Sequence, residues 1–148
     1  MAAVVLVGAA AAGLAWRRWD GRLTEGHRSL ISPAQLGQPL GTRATLLQFS
    51  APACAPCRTA RQLLADVAAG SAGVTHIEID VTDRPDLVRA LDIRRAPTIF
   101  VLDPQGKIAR RASGLPRRPD IAAAVALATG GQIPAVGPAP SSARDNPG

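Results

Sequence analysis

Tyrosine is absent from this 148-residue sequence, and phenylalanine and tryptophan occur only twice each. With aromatics at 3% against 47% hydrophobic residues overall, the core has to be built from small aliphatic side chains, and close packing matters more than ring bulk. Lysine is nearly absent too. Lys107 is the only one, so the formal charge of +6 is carried by arginine. The arginines fall in scattered pairs, Arg17-Arg18, Arg94-Arg95, Arg110-Arg111 and Arg117-Arg118, with no aromatic interleaving and no nucleic-acid motif. That pattern reads as a solvated basic surface, and no nucleic-acid partner is expected. Cysteine is limited to Cys54 and Cys57, and histidine to His27 and His76. Two cysteines separated by two residues close a loop too short to staple a fold. A zinc site would need all four of these side chains, one of them in a linker, so neither a metal nor any other cofactor is expected.

The length suits one domain with tails. Met1 to Trp16 contains no charged side chain, whereas Arg17, Arg18, Arg22 and Arg28 follow closely. Residues 1–19 therefore read as a single-pass N-terminal membrane helix, short and alanine-rich, with Trp16 and Trp19 at the interface. No basic residue precedes the apolar run, which argues against a cleaved signal peptide. The arginines after it place the domain on the cytoplasmic side of the cell membrane, the extracytoplasmic side being the alternative. A core helix in its place would need a polar face at helical spacing, which the run lacks.

Residues 20–42, broken by Gly21, Gly26, Pro33, Gly37, Pro39 and Gly41, read as a linker and the start of the domain. An extended piece is expected near Ser29 to Ile31 and a helical turn near Pro33 to Leu36. Ala44 to Phe49 is a compact apolar run suited to a buried strand, and Arg58 to Ala69 sets Ala60, Leu63, Leu64 and Val67 at helical spacing. Val74 to Val81 alternates, with His76, Glu78 and Asp80 on its hydrophilic or edge side and Ile77, Ile79 and Val81 opposite. Asp83 to Leu91 reads as a short helix, Thr98 to Leu102 and Lys107 to Ala112 as a hairpin about Asp103-Pro104-Gln105-Gly106, and Arg118 to Thr129 as a closing helix. Residues 130–148, rich in Pro, Gly and Ser, read as a disordered tail. The order β, α, β, α, β, β, α predicts an α/β fold with a mixed central sheet and helices on both faces.

The chemistry concentrates in Ala53-Cys54-Ala55-Pro56-Cys57-Arg58, between the buried strand and the helix. A sulfur placed at a helix N-terminus meets unsatisfied backbone N–H groups that stabilise its thiolate, so Cys54 is the expected nucleophile. Cys57, one turn further in, is placed to attack a mixed disulfide formed on Cys54, as the resolving thiol. Pro56 needs no N–H donor at the start of a helix. Arg58, Arg94 and Arg95 are expected near the pair, where a cation favours thiolate over thiol. His76 is expected to be a packed structural residue rather than a base.

Leu46-Leu47-Gln48-Phe49-Ser50-Ala51-Pro52-Ala53-Cys54-Ala55-Pro56-Cys57-Arg58, together with Ile93-Arg94-Arg95-Ala96-Pro97-Thr98, resembles the thioredoxin family over about residues 28–129. The resemblance implies a thioredoxin-like fold and thiol-disulfide oxidoreductase activity, with the Cys54-Cys57 disulfide as the only redox group. It implies a cis peptide at Pro97, followed by Thr98, a backbone at Ala96 offered to an incoming substrate strand, and a glycine, Gly114, near the site. It also marks three departures. Gln48 stands where the family has a buried aspartate that accepts a proton during resolution, Ala53 stands for a tryptophan and Ala55 for a glycine. Gln48 can hydrogen-bond but cannot take up a proton at neutral pH.

The resulting expectation is a monomeric protein disulfide reductase, receiving electrons from a reductase donor and acting on disulfide-bearing proteins. The alternatives are an extracytoplasmic thiol-disulfide protein of the cytochrome-maturation or oxidase type and a non-catalytic redox-sensing module, which Gln48 would suit.

Overall fold

The computed structural model describes residues 7–9, 11–15, 20–25 and 29–130. Along the chain these form β1 (Leu23–Glu25), α1 (Pro33–Leu36), β2 (Ala44–Ser50), α2 (Ala55–Ala69) and β3 (Val74–Asp80). α3 (Pro85–Ala90), β4 (Thr98–Leu102), β5 (Ile108–Ser113) and α4 (Arg118–Ala128) follow. The strands make one sheet in the order β1-β5-β4-β2-β3. All seven residues of β2 are buried, because β3 runs parallel on one side of it and β4 antiparallel on the other, with helices over both faces.

The two-residue period of the strands divides the interior. Leu47, Phe49, Ile77, Ile79, Phe100 and Leu102 pack with Leu36 of α1 and Leu87 of α3. On the other face Leu46, Ile99, Val101 and Ala112 pack with Ala60 and Leu64 of α2 and Ile121 and Val125 of α4. The expected α/β architecture, with its mixed sheet and helices on both faces, is what the chain adopts.

Scarce aromatics are used together. Phe49 and Phe100, both of the chain's phenylalanines, meet edge to face with ring centroids 5.9 Å apart, and the Arg111 guanidinium lies 5.2 Å from the Phe100 centroid. Arg111 also donates to the carbonyls of Leu91 and Asp92, at 2.8 Å each, which ties β5 to the end of α3.

Three boundaries differ from the sequence reading. Within the expected linker, Leu23–Glu25 forms a strand antiparallel to β5. Gly21, at φ 71, turns the chain there and donates its N–H to the Ser113 carbonyl at 2.8 Å. The extended piece near Ser29 to Ile31 makes only an isolated bridge, Leu30 to Lys107. Helix α2 starts at Ala55 rather than Arg58, because Cys54 itself caps it. The expected anchor at 1–19 and tail at 130–148 lie largely outside the described residues. Residues 7–9 and 11–15 are helical and exposed, and among the described residues no helix is long and apolar enough to cross a membrane.

The register decides what meets at the C-terminal end of β2. Phe49 pairs with Thr98, and Thr98 with Ser113, so Ser50, Pro97 and Gly114 lie side by side just beyond the ladder.

With only two phenylalanines filling one side of the core, Phe49→Ala is expected to cost roughly 3–5 kcal/mol. Urea unfolding measures it. A loss under 1 kcal/mol would mean that the ring pair is not central to packing.

Candidate redox site

The loop Ala51 to Ala53 carries the chain from β2 into α2, and Ala53 makes the turn in the left-handed region at φ 55. Cys54 follows in extended conformation as the N-cap. Its sulfur accepts a hydrogen bond from the Cys57 backbone N–H at 3.2 Å, the role that a serine or aspartate oxygen commonly plays at this position. Pro56 sits in the first turn, where the missing N–H leaves no helical bond unmade. Cys54 and Cys57 are joined by a disulfide, S–S 2.05 Å. The two residues are unequal in access: Cys54 is half-buried, whereas Cys57 is only 2% exposed.

Just before β4, at the register position next to Ser50, the Ala96–Pro97 peptide is cis. Thr98 Oγ1 donates to the Arg95 carbonyl at 2.7 Å and fixes the turn that presents it. The Pro97 carbonyl accepts the Gly114 N–H at 2.7 Å. Gly114 has φ 100, a conformation that favours glycine, and a Cβ there would fall 2.3 Å from an Asp20 carboxylate oxygen, which would have to shift.

The arginines divide. Arg58, exposed, lines a pocket of about 410 Å³ beside the disulfide. Arg95 is ion-paired with Asp20, and Arg94 with Asp92 at 2.9 Å. Both of the latter carry a carboxylate partner that the sequence reading did not include.

Under Cys57 lies a polar layer between β2, β3 and α2. The Gln48 side-chain amide donates to the Cys57 carbonyl and to Ser50 Oγ, 2.9 Å each, and lies 3.5 Å from Glu78 Oε1. Ser50 Oγ in turn donates to Glu78 Oε1. Arg61 grips the same carboxylate with Nε on one oxygen and a terminal nitrogen on the other, the latter at 2.9 Å. Since the amide nitrogen faces a carbonyl, Gln48 Oε1 is left to accept from His76 Nε2 at 3.2 Å, which puts the ring proton on Nε2.

Burial lowers the His76 pKa, Glu78 opposing and Arg61 adding to the effect, so the ring is neutral at pH 7. Burial pushes the Glu78 carboxyl up, but hydrogen bonds from Arg61 and Ser50 and the charge of Arg61 outweigh it, His76 adding to them in acid, where its ring is protonated. The carboxyl titrates below its ordinary value.

Ser50, Arg61 and Glu78 are the site residues that sequence reasoning missed. The alternation of β3 put His76, Glu78 and Asp80 on one side, but that side faces α2 rather than open solvent. The usable signal was Gln48 and Ser50, polar side chains at alternate positions of an otherwise apolar strand.

The sequence model of the thioredoxin family matches residues 35–126, more than half of the chain. Thioredoxin H5 of Oryza sativa subsp. japonica is 31% identical over 72 residues, which cover 49% of this chain and 53% of that protein. The chain thus spans about half the length of that curated relative. Among solved structures, chloroplastic thioredoxin z has a TM-score of 0.54 at 30% identity, covering 61% of this chain and 81% of its own. Thioredoxin NaTrxh from Nicotiana alata has 0.53 at 22% identity, over 60% and 75%, which bears on the fold alone. The family match includes the whole stretch from the cap of α2 to the hairpin after Pro97, and by it this chain belongs to the thioredoxin family.

Proposed function

We propose that the chain is a protein disulfide reductase working by dithiol-disulfide exchange. The observation that carries this reading is the asymmetry of the pair, a half-buried Cys54 whose sulfur accepts a helix N–H, with Cys57 closed off behind it.

In the reduced protein the Cys54 thiolate attacks one sulfur of a substrate disulfide. A Cys54–substrate bond forms as the substrate S–S bond breaks and the other substrate sulfur leaves as thiolate. Cys57 then loses its proton and attacks Cys54 Sγ. The Cys54–Cys57 disulfide forms and the second substrate sulfur is released, so that two electrons have passed to the substrate. The backbone at Ala96 and the turn at Gly114, beyond the ends of the strands that neighbour β2, are the segments proposed to receive an extended substrate segment. A reductase donor returns the disulfide to the dithiol.

The uncharged run of residues 1–16 and the arginines after it support a tether at the cell membrane with the domain in the cytoplasm, where the redox poise favours reduction. A C-terminal reporter active only in the cytoplasm is expected to report activity. Signal from an extracytoplasmic-only reporter would reverse the orientation and favour the cytochrome-maturation or oxidase alternative.

Cys57→Ser is expected to accumulate mixed disulfides with substrate proteins on Cys54, visible on non-reducing gels and lost with dithiothreitol, while Cys54→Ser accumulates none. Trapping by Cys54→Ser alone would exchange the two roles. If the unaltered chain with dithiothreitol does not accelerate reduction of insulin, the reductase reading fails.

A further inference from the structure

We propose that Glu78 is the residue through which Cys57 loses its proton in the resolving step, a carboxylate supplied by β3 where β2 offers Gln48. The inference rests on the dithiol mechanism above and concerns only its second half.

The need for such a group follows from burial. Cys57 is 2% exposed, and a thiol in that setting gives up its proton poorly unless an acceptor is close. Gln48, which touches the Cys57 carbonyl, has no basic atom. His76 is turned with its Nε2–H toward Gln48, so the amide separates the ring from the cysteine.

Glu78 meets the need by position. It is the Cα partner of Gln48 in the β2–β3 register, so its side chain enters the same layer on the same face. Its Oε1 is bonded to Ser50, and Ser50, Cys57 and Glu78 all line the pocket of about 410 Å³ that opens beside the disulfide. That space is polar and large enough for water, which can carry a proton from Cys57 Sγ to the carboxylate.

The surrounding charges set the state of the carboxylate. From α2, Arg61 grips the carboxylate and Arg58 lines the pocket; from β2 come Gln48 and Ser50; from β3 itself come His76, neutral, and Asp80, which lines the same pocket. Arg61 keeps Glu78 ionised across the neutral range, which leaves it without a proton of its own and also makes it a weaker base than an ordinary carboxylate, so it serves to pass the proton on to water rather than to hold it. The Arg61 side chain is 54% exposed and that of Glu78 23%, which opens a way for the proton to leave to solvent. The step balances: the Cys57 proton goes to Glu78 and then to water, while the Cys57 sulfur forms its bond to Cys54 and the substrate sulfur departs with the electron pair.

Stopped-flow mixing of the reduced full chain with Ellman's reagent separates the two halves. A first release of thionitrobenzoate reports attack by Cys54 and a second reports resolution by Cys57. Glu78→Gln keeps the side-chain shape and is expected to leave the first phase unchanged while slowing the second about tenfold or more at pH 7. The slowed phase should rise nearly tenfold per pH unit from pH 6 to 8, the native one less steeply.

A purely electrostatic role predicts the reverse, since removing a negative charge near Cys57 favours its thiolate. A second phase that is unchanged or faster in Glu78→Gln, or equal slowing of both phases, would overturn the proposal. Arg61→Gln breaks the same ion pair but keeps the carboxylate, and its second phase should be as fast as native or faster. Slowing there to the level of Glu78→Gln would show that the ion pair alone matters, and would also overturn it. Absence of the first phase in the unaltered chain would instead remove the dithiol mechanism itself.

Discussion

A single hydrogen bond, from the Cys57 N–H to the Cys54 sulfur, joins the architecture of this chain to its chemistry. The first turn of a helix has N–H groups without intrahelical partners, and at the start of α2 one of them is directed at sulfur. Breaking the disulfide leaves that donor in place, where it favours a thiolate over a thiol. The bond exists only if Cys54 sits at the cap, where the left-handed turn at Ala53 and the strand ending at Ser50 deliver it and Pro56 favours the first helical turn. α2 is held in turn by Ala60, Leu64 and Val67 against the sheet, so its terminus is a fixed point. Sulfur at the cap of a well-packed helix is the constraint from which the rest of the site follows.

Behind that cap the chain departs from the family pattern without losing polarity. Gln48 has partners on both ends of its amide: the Cys57 carbonyl and Ser50 on one side and His76 on the other. Among the described residues no buried side-chain nitrogen or oxygen lacks a partner, so the layer is satisfied rather than frustrated. The missing negative charge reappears one strand away, at Glu78, restrained by Arg61. Moving a carboxylate across a strand pair changes its reach to solvent and its neighbours while leaving it in the same layer.

Much of the fold was legible because period and punctuation agreed. The apolar run before Cys54, the helical spacing of Ala60, Leu64 and Val67, the Asp103 to Gly106 turn and the β-branched run after Pro97 each had one physical solution. The rest depended on contacts far apart in the chain. β1 is three residues long and is a strand only because the edge of β5 is free to pair with it. Asp20 meets Arg95 across the sheet edge, and neither position announces the other. The polar side of β3 could be read only as a hydrophilic or edge side, because alternation reports two sides of a strand without saying what covers each. Cys54 and Cys57 stood out by residue type and Pro97 through the family resemblance, whereas Glu78 and Arg61 became visible only when α2 was seen to lie over them.

The claim on which the account turns is that helix-terminal placement sets the reactivity of Cys54. Titration of the reduced full chain, followed by thiolate absorbance at 240 nm with Cys57→Ser to isolate one sulfur, measures it directly. The account predicts a Cys54 pKa well below the free-cysteine value of about 8.5. A value at or above 8.5 would contradict it.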